Sequence, residues 1–483
     1  MFTTQLLSAG QSTAAEQAAT FTRANPLSGG VVTTAAAASV GDANTAADAA
    51  GRAFAAWSKT GPGERRAKLL KAAELMEARQ GDFIDRMVEE TGATLGWAGF
   101  NVKVAADVLR EAAALTTQIQ GDIIPSNVPD SMAMGVRVPC GVVVGIAPWN
   151  APIILGTRAI ATPLACGNSV ILKASEQCPA THHLIGEVLQ EAGFGDGVVN
   201  VITNAPDNAA AVVSALIAHP AVRRVNFTGS TGVGKIIAEQ AAKHLKPVLL
   251  ELGGKAPFLV LDDADIDAAV DAAIFGAFFN QGQICMSTER VIVDNQVADT
   301  FVEKFAARAQ ALKAGDPRDE SNALGTLINA QSGEKLNSLI DDAVAQGAHL
   351  AAGGKAEGVV MQATIVDGVT SAMRLYSEES FGPIVAVIRV NGEEEAIRIA
   401  NDSEYGLSSA VFSRDSARAM KVAGRLQTGI CHINAPTVHD EPQMPFGGVK
   451  SSGYGRFGGK AGIEEFTELR WMTMQLGPRH YPI

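Results

Sequence analysis

The sequence predicts an α/β protein built from two parallel-sheet units, and three observations carry that expectation. From Gly141 onward short apolar runs alternate with helical stretches, the pattern of a parallel sheet covered by helices on both faces. A second alternating series begins near Phe258 and continues past Val411. With 483 residues, 47% apolar and 19% charged, the chain is long enough for roughly two to three domains and can bury large cores.

Taken in order, residues 1–40 are rich in Ala, Thr, Ser and Gly and read as strands and turns. Residues 42–79 are helical, with Ala-rich faces and Glu/Lys/Arg pairs, and a further helix runs through 104–112. Pro125 interrupts the pattern before a strand at 134–138. Strands follow at 142–146, 169–172, 198–202, 224–227 and 248–250, separated by helices at 154–164, 182–191, 209–218 and 235–244. The seam between the two units falls between Glu251 and Phe258.

The net charge of -12 argues against nucleic acid or an anionic membrane as the main partner, because both need a basic face. Cys140, Cys166, Cys178, Cys285 and Cys431 are odd in number and widely spaced, with no C-x-x-C pair and no histidines at zinc-ligand spacing. No metal site is expected, and the cysteine usage fits a reducing compartment. The start Met1-Phe2-Thr3-Thr4-Gln5 lacks the basic and apolar blocks of a signal peptide. No stretch approaches the ~18 apolar residues of a membrane span. A cytoplasmic location is expected.

Chemistry concentrates at Asn280-Gln281-Gly282-Gln283-Ile284-Cys285, a cysteine behind a glycine-containing turn that follows the apolar run 272–279. A thiol can attack a carbonyl carbon and hold the product as a thioester, which splits one difficult oxidation into two steps. Two glycine motifs need separate treatment. Gly453-Tyr454-Gly455-Arg456-Phe457-Gly458 matches G-x-G-x-x-G, but it follows loop sequence rather than a strand, so it is not expected to bind a dinucleotide. Gly229-Ser230-Thr231-Gly232-Val233-Gly234-Lys235 sits between a strand and a helix, yet Ile236 replaces the Ser or Thr that a P-loop uses to hold magnesium. The turn still offers a helix N-terminus to a cofactor pyrophosphate near Ser230, or else merely joins strand to helix.

Several motifs occurring in order give the chain a likeness. Pro148-Trp149-Asn150, Leu172-Lys173-Ala174-Ser175-Glu176, Phe227-Thr228-Gly229-Ser230-Thr231, Glu251-Leu252-Gly253-Gly254-Lys255, Gly282-Gln283-Ile284-Cys285, Glu379-Ser380-Phe381-Gly382-Pro383 and Pro445-Phe446-Gly447-Gly448 resemble the aldehyde dehydrogenase superfamily, from about residue 20 to the C-terminus. Trp97-Ala98-Gly99-Phe100-Asn101, Cys285-Met286-Ser287-Thr288-Glu289-Arg290 and the tail 477–483 resemble its bacterial branch that oxidises aromatic aldehydes such as vanillin and salicylaldehyde. The resemblance implies a Rossmann-type NAD-binding domain at 1–119 and 141–251, an α/β catalytic domain at 252–450, and a small β oligomerisation arm at 120–140 and 466–483. A homodimer or homotetramer follows from that arm.

In the roles the resemblance implies, Cys285 is the nucleophile, and the Asn150 amide with the Cys285 backbone N–H forms the oxyanion site. Glu251 activates the hydrolytic water. NAD lies along Trp149, Lys173, Glu176, Gly229, Ser230, Gly253, Glu379 and Phe381, with Glu176 disfavouring a 2′-phosphate. The substrate, an aromatic aldehyde, meets Trp97, Phe100, Ala151, Leu155, Arg158, Phe279, Val438, His439 and Phe446. Arg158 can meet a ring hydroxyl or phenolate, or instead bridge to a neighbouring acid. His439 is a rim residue or a ligand contact.

The chain departs from the family pattern at Ala159 and Phe457, where many members carry Lys and Glu. With both absent, proton release is expected to depend on Glu251 and water. Glu251 also argues against a CoA-acylating dehydrogenase, and the presence of Cys285, Asn150 and Glu251 together argues against a catalytically silent member of the family.

Overall fold

The computed structural model describes residues 1–483, which form two large sheets and two small ones. At the centre of the first large sheet are five parallel strands: β1 (Val142–Ile146), β2 (Ser169–Lys173), β3 (Val199–Ile202), β4 (Val222–Thr228) and β5 (Val248–Glu251). Between them run the helices α1 (Pro152–Ala165), α2 (Pro179–Glu191), α3 (Ala209–Ala218) and α4 (Thr231–Lys243). The spatial order β5-β4-β1-β2-β3 reverses direction between β1 and β4. Such a switch point opens a crevice at the carboxyl ends of the strands, where ligands of open α/β sheets bind. Pro148 to Asn150 and Gly229 to Ser230 leave the sheet there.

At the edges of this parallel sheet two strands run antiparallel. Leu6–Ser8 pairs antiparallel with β3, and Gly453–Tyr454 pairs antiparallel with β5. The latter pairing also explains the false glycine motif. Gly453 is a strand residue at φ 104°, and a Cβ there would lie 2.1 Å from the Leu250 carbonyl. Its glycine serves close strand approach.

The second large sheet begins with β6 (Ala256–Val260), followed by helix α5 (Ile266–Phe278) and β7 (Thr288–Asp294). Ile384–Val390 and Ala410–Phe412 extend it in parallel on either side. The chain passes from one large sheet to the other between Glu251 and Ala256.

The helical reading was right in type and short in extent. Residues 42–79 form two helices, Val40–Trp57 and Pro62–Ala78, because Gly61 and Pro62 stop the first and start the second. The helix placed at 104–112 runs over Leu95–Leu115, capped by the Thr94 hydroxyl. Strands among the first forty residues form a separate three-stranded sheet, with Phe2–Thr4 beside Val31–Ala36 beside Thr20–Ala24.

Every residue of α1 is buried, which its sequence PIILGTRAIATPLA allows at every position except Arg158. A guanidinium on such a helix needs a counter-charge, and Asp440 supplies it: Arg158 Nη2 donates to both carboxylate oxygens at 2.6 Å. Removing one partner of a pair this buried costs about 3–5 kcal/mol.

The segments expected to form an arm share one sheet: Thr467–Gln475 pairs antiparallel with Ser131–Pro139 over its full length, and Asp122–Ile124 flanks it. No helix of the structure is long and apolar enough to cross a membrane.

Candidate active site

Cys285 is placed by a strained turn. After α5 the backbone turns left-handed at three consecutive residues, Asn280 (φ 49°), Gln281 (φ 54°) and Gly282 (φ 66°). Non-glycine residues hold such angles at a cost of about 1–3 kcal/mol each, so the surroundings must over-determine them. Gln281 Nε2 and Gln283 Nε2 both donate to the Thr326 carbonyl (3.1 and 3.3 Å), and Ile328 N–H donates to Gln283 Oε1 at 3.1 Å. Gly282 has no alternative, because a Cβ would stand 2.1 Å from the Gly382 carbonyl oxygen.

Asn150 leaves β1 at the switch point and is buried. Trp97 Nε1 and Asn280 Nδ2 hold its carbonyl at 2.9 and 3.1 Å. Its side-chain Nδ2 donates one proton to the Gln283 carbonyl at 3.0 Å, which fixes the amide and leaves its second proton for another acceptor.

Glu251 ends β5 at 1% exposure, and neither carboxylate oxygen makes a geometrically formed hydrogen bond. Burial pushes its pKa up to about 8, against the smaller pulls of the Cys285 thiol and the Arg158 guanidinium. Burial also raises the Cys285 thiol well above its ordinary range, and the Glu251 carboxylate adds to the rise. Neither Ala159 nor Phe457 carries a group that could relay a proton from Glu251. Ala159 packs its methyl where a Cβ on Gly145 would lie 2.7 Å away, and Phe457 is buried against Phe466 with ring centroids 6.3 Å apart.

Cys285 stands between two cavities. One, of about 190 Å³, is lined by Asn150, Glu251 and Cys285 together with Trp149, Gly229, Ser230, Gly253, Glu379 and Phe381. It adjoins a cleft of about 560 Å³ that contains Lys173 and Glu176 and shares Trp149, Gly229 and Ser230. On the other side of Cys285 and Asn150, a cavity of about 280 Å³ gathers Trp97, Phe100, Ala151, Leu155, Arg158, Phe279, Val438, His439 and Phe446. Every residue singled out from the sequence thus lines one of three connected spaces.

The larger cleft fits a dinucleotide. Ser230 lines the cleft and caps α4 without a side-chain hydrogen bond to it, which leaves its hydroxyl and the helix N-terminus available to an anion. Lys173 Nζ pairs with Glu176, whose carboxylate also accepts from Asn204 Nδ2 at 2.9 Å. Val233 and Ile236, to which the sequence reading gave no cofactor contact, add an exposed apolar wall. Toward Cys285, Glu379 Oε1 accepts from Gly254 N–H at 2.8 Å, and Gly253 lies so close that a Cβ would meet both Glu379 oxygens at 2.7 Å. Burial and the neighbouring Glu289 charge raise Glu379 to about 7. Trp149 and Phe381 meet edge-on at 5.7 Å.

The opposite cavity is aromatic. Trp97 stacks on Phe100 at 5.4 Å and meets Phe279 edge-on at 4.8 Å, while Phe275 stacks on Phe279 at 4.8 Å. Phe275 was legible as a neighbour of Phe279, since positions four apart share a helix face. Ile154, Ile284, Met286, Pro436 and Asp440 complete the lining; Ile154, Ile284 and Met286 adjoin Leu155 and Cys285 in sequence, and Pro436 and Asp440 flank Val438 and His439. Between the two readings of Arg158 the structure favours the acid: its charge is held by Asp440, and it stacks over Phe446 at 4.7 Å. His439 is a rim residue, half exposed and bonded to Glu441 at 2.8 Å.

A thiol, a buried carboxylate and a fixed amide lie together between a long cleft and a second pocket, and the chain belongs to the aldehyde dehydrogenase family, whose model matches residues 13–472. Members of this family are generally NAD(P)-dependent enzymes. More particularly, the chain is 63% identical to vanillin dehydrogenase of Pseudomonas fluorescens over 483 residues, the whole of both chains. It is 53% identical to salicylaldehyde dehydrogenase of Pseudomonas putida over 464 residues, 96% of each. The crystal structure of a salicylaldehyde dehydrogenase from Pseudomonas putida G7 complexed with salicylaldehyde superposes with a TM-score of 0.98 at 51% identity, covering 100% of both chains.

Proposed function

We propose that this protein is an NAD-dependent, non-acylating dehydrogenase that oxidises aromatic aldehydes to carboxylates, with vanillin or a related hydroxy- or methoxybenzaldehyde as substrate. The observation that carries the proposal is the position of Cys285 and Asn150, which open both onto the aromatic cavity and onto the cavity holding Glu251 and Glu379.

The thiol is protonated at rest, so attack on the aldehyde carbon requires a base, and Glu251 is near enough to neutral pKa to take that proton. The aldehyde oxygen becomes an oxyanion that the free Asn150 amide proton and the Cys285 backbone N–H stabilise. Lys173, Glu176, Ser230 and Glu379 would hold NAD, which when bound would accept the hydride. Cys285 then carries the acyl group as a thioester; Glu251, once it has passed the thiol proton to solvent, removes a proton from the water that hydrolyses the thioester, which releases the carboxylate and returns the Cys285 thiol. Asn150→Ala is expected to lower kcat about 10²–10³-fold and to leave the KM for NAD almost unchanged, as steady-state kinetics would show.

Glu176 supports NAD over NADP, because a carboxylate facing the cleft repels a 2′-phosphate. The Arg158–Asp440 pair brings no free cation to a phenolate; it offers a donor and an acceptor to a neutral ring hydroxyl instead. A salicylaldehyde or benzaldehyde dehydrogenase with the same mechanism is the second reading, since the cavity walls suit any flat ring. A semialdehyde substrate fits less well, because nothing among the aromatic walls offers a free cation to its carboxylate. The test is NADH formation with vanillin, salicylaldehyde, benzaldehyde and a short aliphatic aldehyde. A ring-bearing substrate should exceed the aliphatic one in kcat/KM by about 10²-fold, the effect of one well-filled aromatic pocket. Equal rates on all four would sink the aromatic reading.

The sheet of Asp122–Ile124, Ser131–Pro139 and Thr467–Gln475 supports a homodimer or homotetramer. Ile123, Leu469, Trp471 and Met474 are exposed on it, and an apolar, strand-edged surface of this kind is commonly covered by another copy.

A further inference from the structure

Glu289 is a carboxylate in the all-buried strand β7, where a charge has no place unless something claims it. Four polar contacts do. Its Oε1 accepts from Ser380 N–H and Phe381 N–H, both at 3.0 Å, while Oε2 accepts from Ser380 N–H at 2.8 Å and from Lys255 Nζ at 2.5 Å. Lys255, equally buried, also donates to Ser380 Oγ at 3.1 Å.

These bonds converge on the turn 379–381. Ser380 points into the core, while Glu379 and Phe381 on either side of it line the cavity beside Cys285. Phe381 sits at φ 57°, a left-handed angle that a phenylalanine does not hold unaided. A neutral acceptor would satisfy the two N–H groups, but a carboxylate binds them about twice as strongly, and Lys255 keeps its charge from standing alone.

We propose that Glu289 is a positioning residue for the nicotinamide end of the dinucleotide, fixing the 379–381 turn so that Glu379 and Phe381 face the cofactor cavity. This rests on the reading of Glu379 as a cofactor contact given above. Glu289 touches neither the reacting atoms nor the aromatic cavity, so its influence should reach cofactor binding and spare aldehyde binding.

The test compares Glu289→Gln, Glu379→Gln and the double variant by NAD titration of intrinsic tryptophan fluorescence and by steady-state kinetics. Glu289→Gln should raise both Kd and KM for NAD about ten-fold or more, the loss of one charge-assisted anchor. Its KM for aldehyde should stay within about two-fold of wild type, and the double variant should bind NAD no more weakly than the weaker single variant, the mark of two residues acting through one route. If Glu289→Gln fails to fold because Lys255 is left unpaired, Lys255→Met with Glu289→Gln removes both charges and replaces it. Unchanged NAD binding by the folded variant beside an impaired Glu379→Gln overturns the inference and leaves the Glu379 reading standing. Fully additive losses overturn it as well, since Glu289 would then act by another route. An unimpaired Glu379→Gln overturns the Glu379 reading and, with it, this inference.

Discussion

Cys285→Ser is expected to reduce aldehyde oxidation by about 10⁴-fold or more, the scale seen when the nucleophile of a covalent mechanism is removed. The hydroxyl that replaces the thiol is far less acidic, and the site does nothing to help it. Burial and the nearby Glu251 carboxylate already raise the thiol, so they oppose ionisation of an alcohol more strongly still. The variant should nonetheless bind NAD as wild type does, because Lys173, Glu176 and Ser230 lie in a cleft that Cys285 does not line. Stopped-flow NADH formation and fluorescence titration together separate these statements. Substantial turnover by Cys285→Ser would remove the thioester from the mechanism.

Glu251→Gln should have the next largest effect, about 10²–10⁴-fold on turnover, the usual worth of a positioned base. Its signature is in the pH profile. The carboxyl acts as a base only when deprotonated, and its pKa is raised to about 8 by burial. Below that value the deprotonated fraction falls about ten-fold per pH unit, so wild-type turnover should rise with pH and level off above about 8. Glu251→Gln should lose that rising limb. A first turnover of NADH followed by a stalled steady state would place the main loss in thioester hydrolysis. A limb that persists unchanged in the variant would assign the titration to another group; Glu379, raised to about 7, is the neighbour to examine next.

How far these residues could be read without coordinates depended on the kind of information each carries. Local pattern placed β1 and α3 to the residue, and the motif order placed Cys285, Glu251 and Asn150 around one cavity. The helix at 95–115 was under-read because Trp97, Phe100 and Asn101 weaken its apparent periodicity, although its inner face is continuous. Asp440 could not be read at all. Its role depends on lying opposite Arg158, 282 positions away, and no local rule reports such a pairing. Glu289 had a weak signal, since adjacent Glu and Arg inside TERVIVD are out of place on a buried strand, but nothing in that signal names Ser380 and Phe381 as its partners. The antiparallel edge of the first sheet was missed because a two-residue strand has no period to detect.

That short strand has a consequence for how the molecule is made. Gly453 and Tyr454 lie opposite Glu251 and Leu250, the Ser452 carbonyl accepts from Leu252 N–H at 3.0 Å, and the Ser452 hydroxyl donates to the Gly253 carbonyl at 2.6 Å. During synthesis from the N-terminus, the nascent chain carries Asn150, Glu251 and Cys285 long before it carries this latch. Until then β5, which ends in the proposed base, is an open edge with one strand neighbour in place of two. The ribosome thus emits every reactive group of the site well before emitting the piece that shuts the wall around the carboxylate, and the competent enzyme is a property of the nearly finished chain.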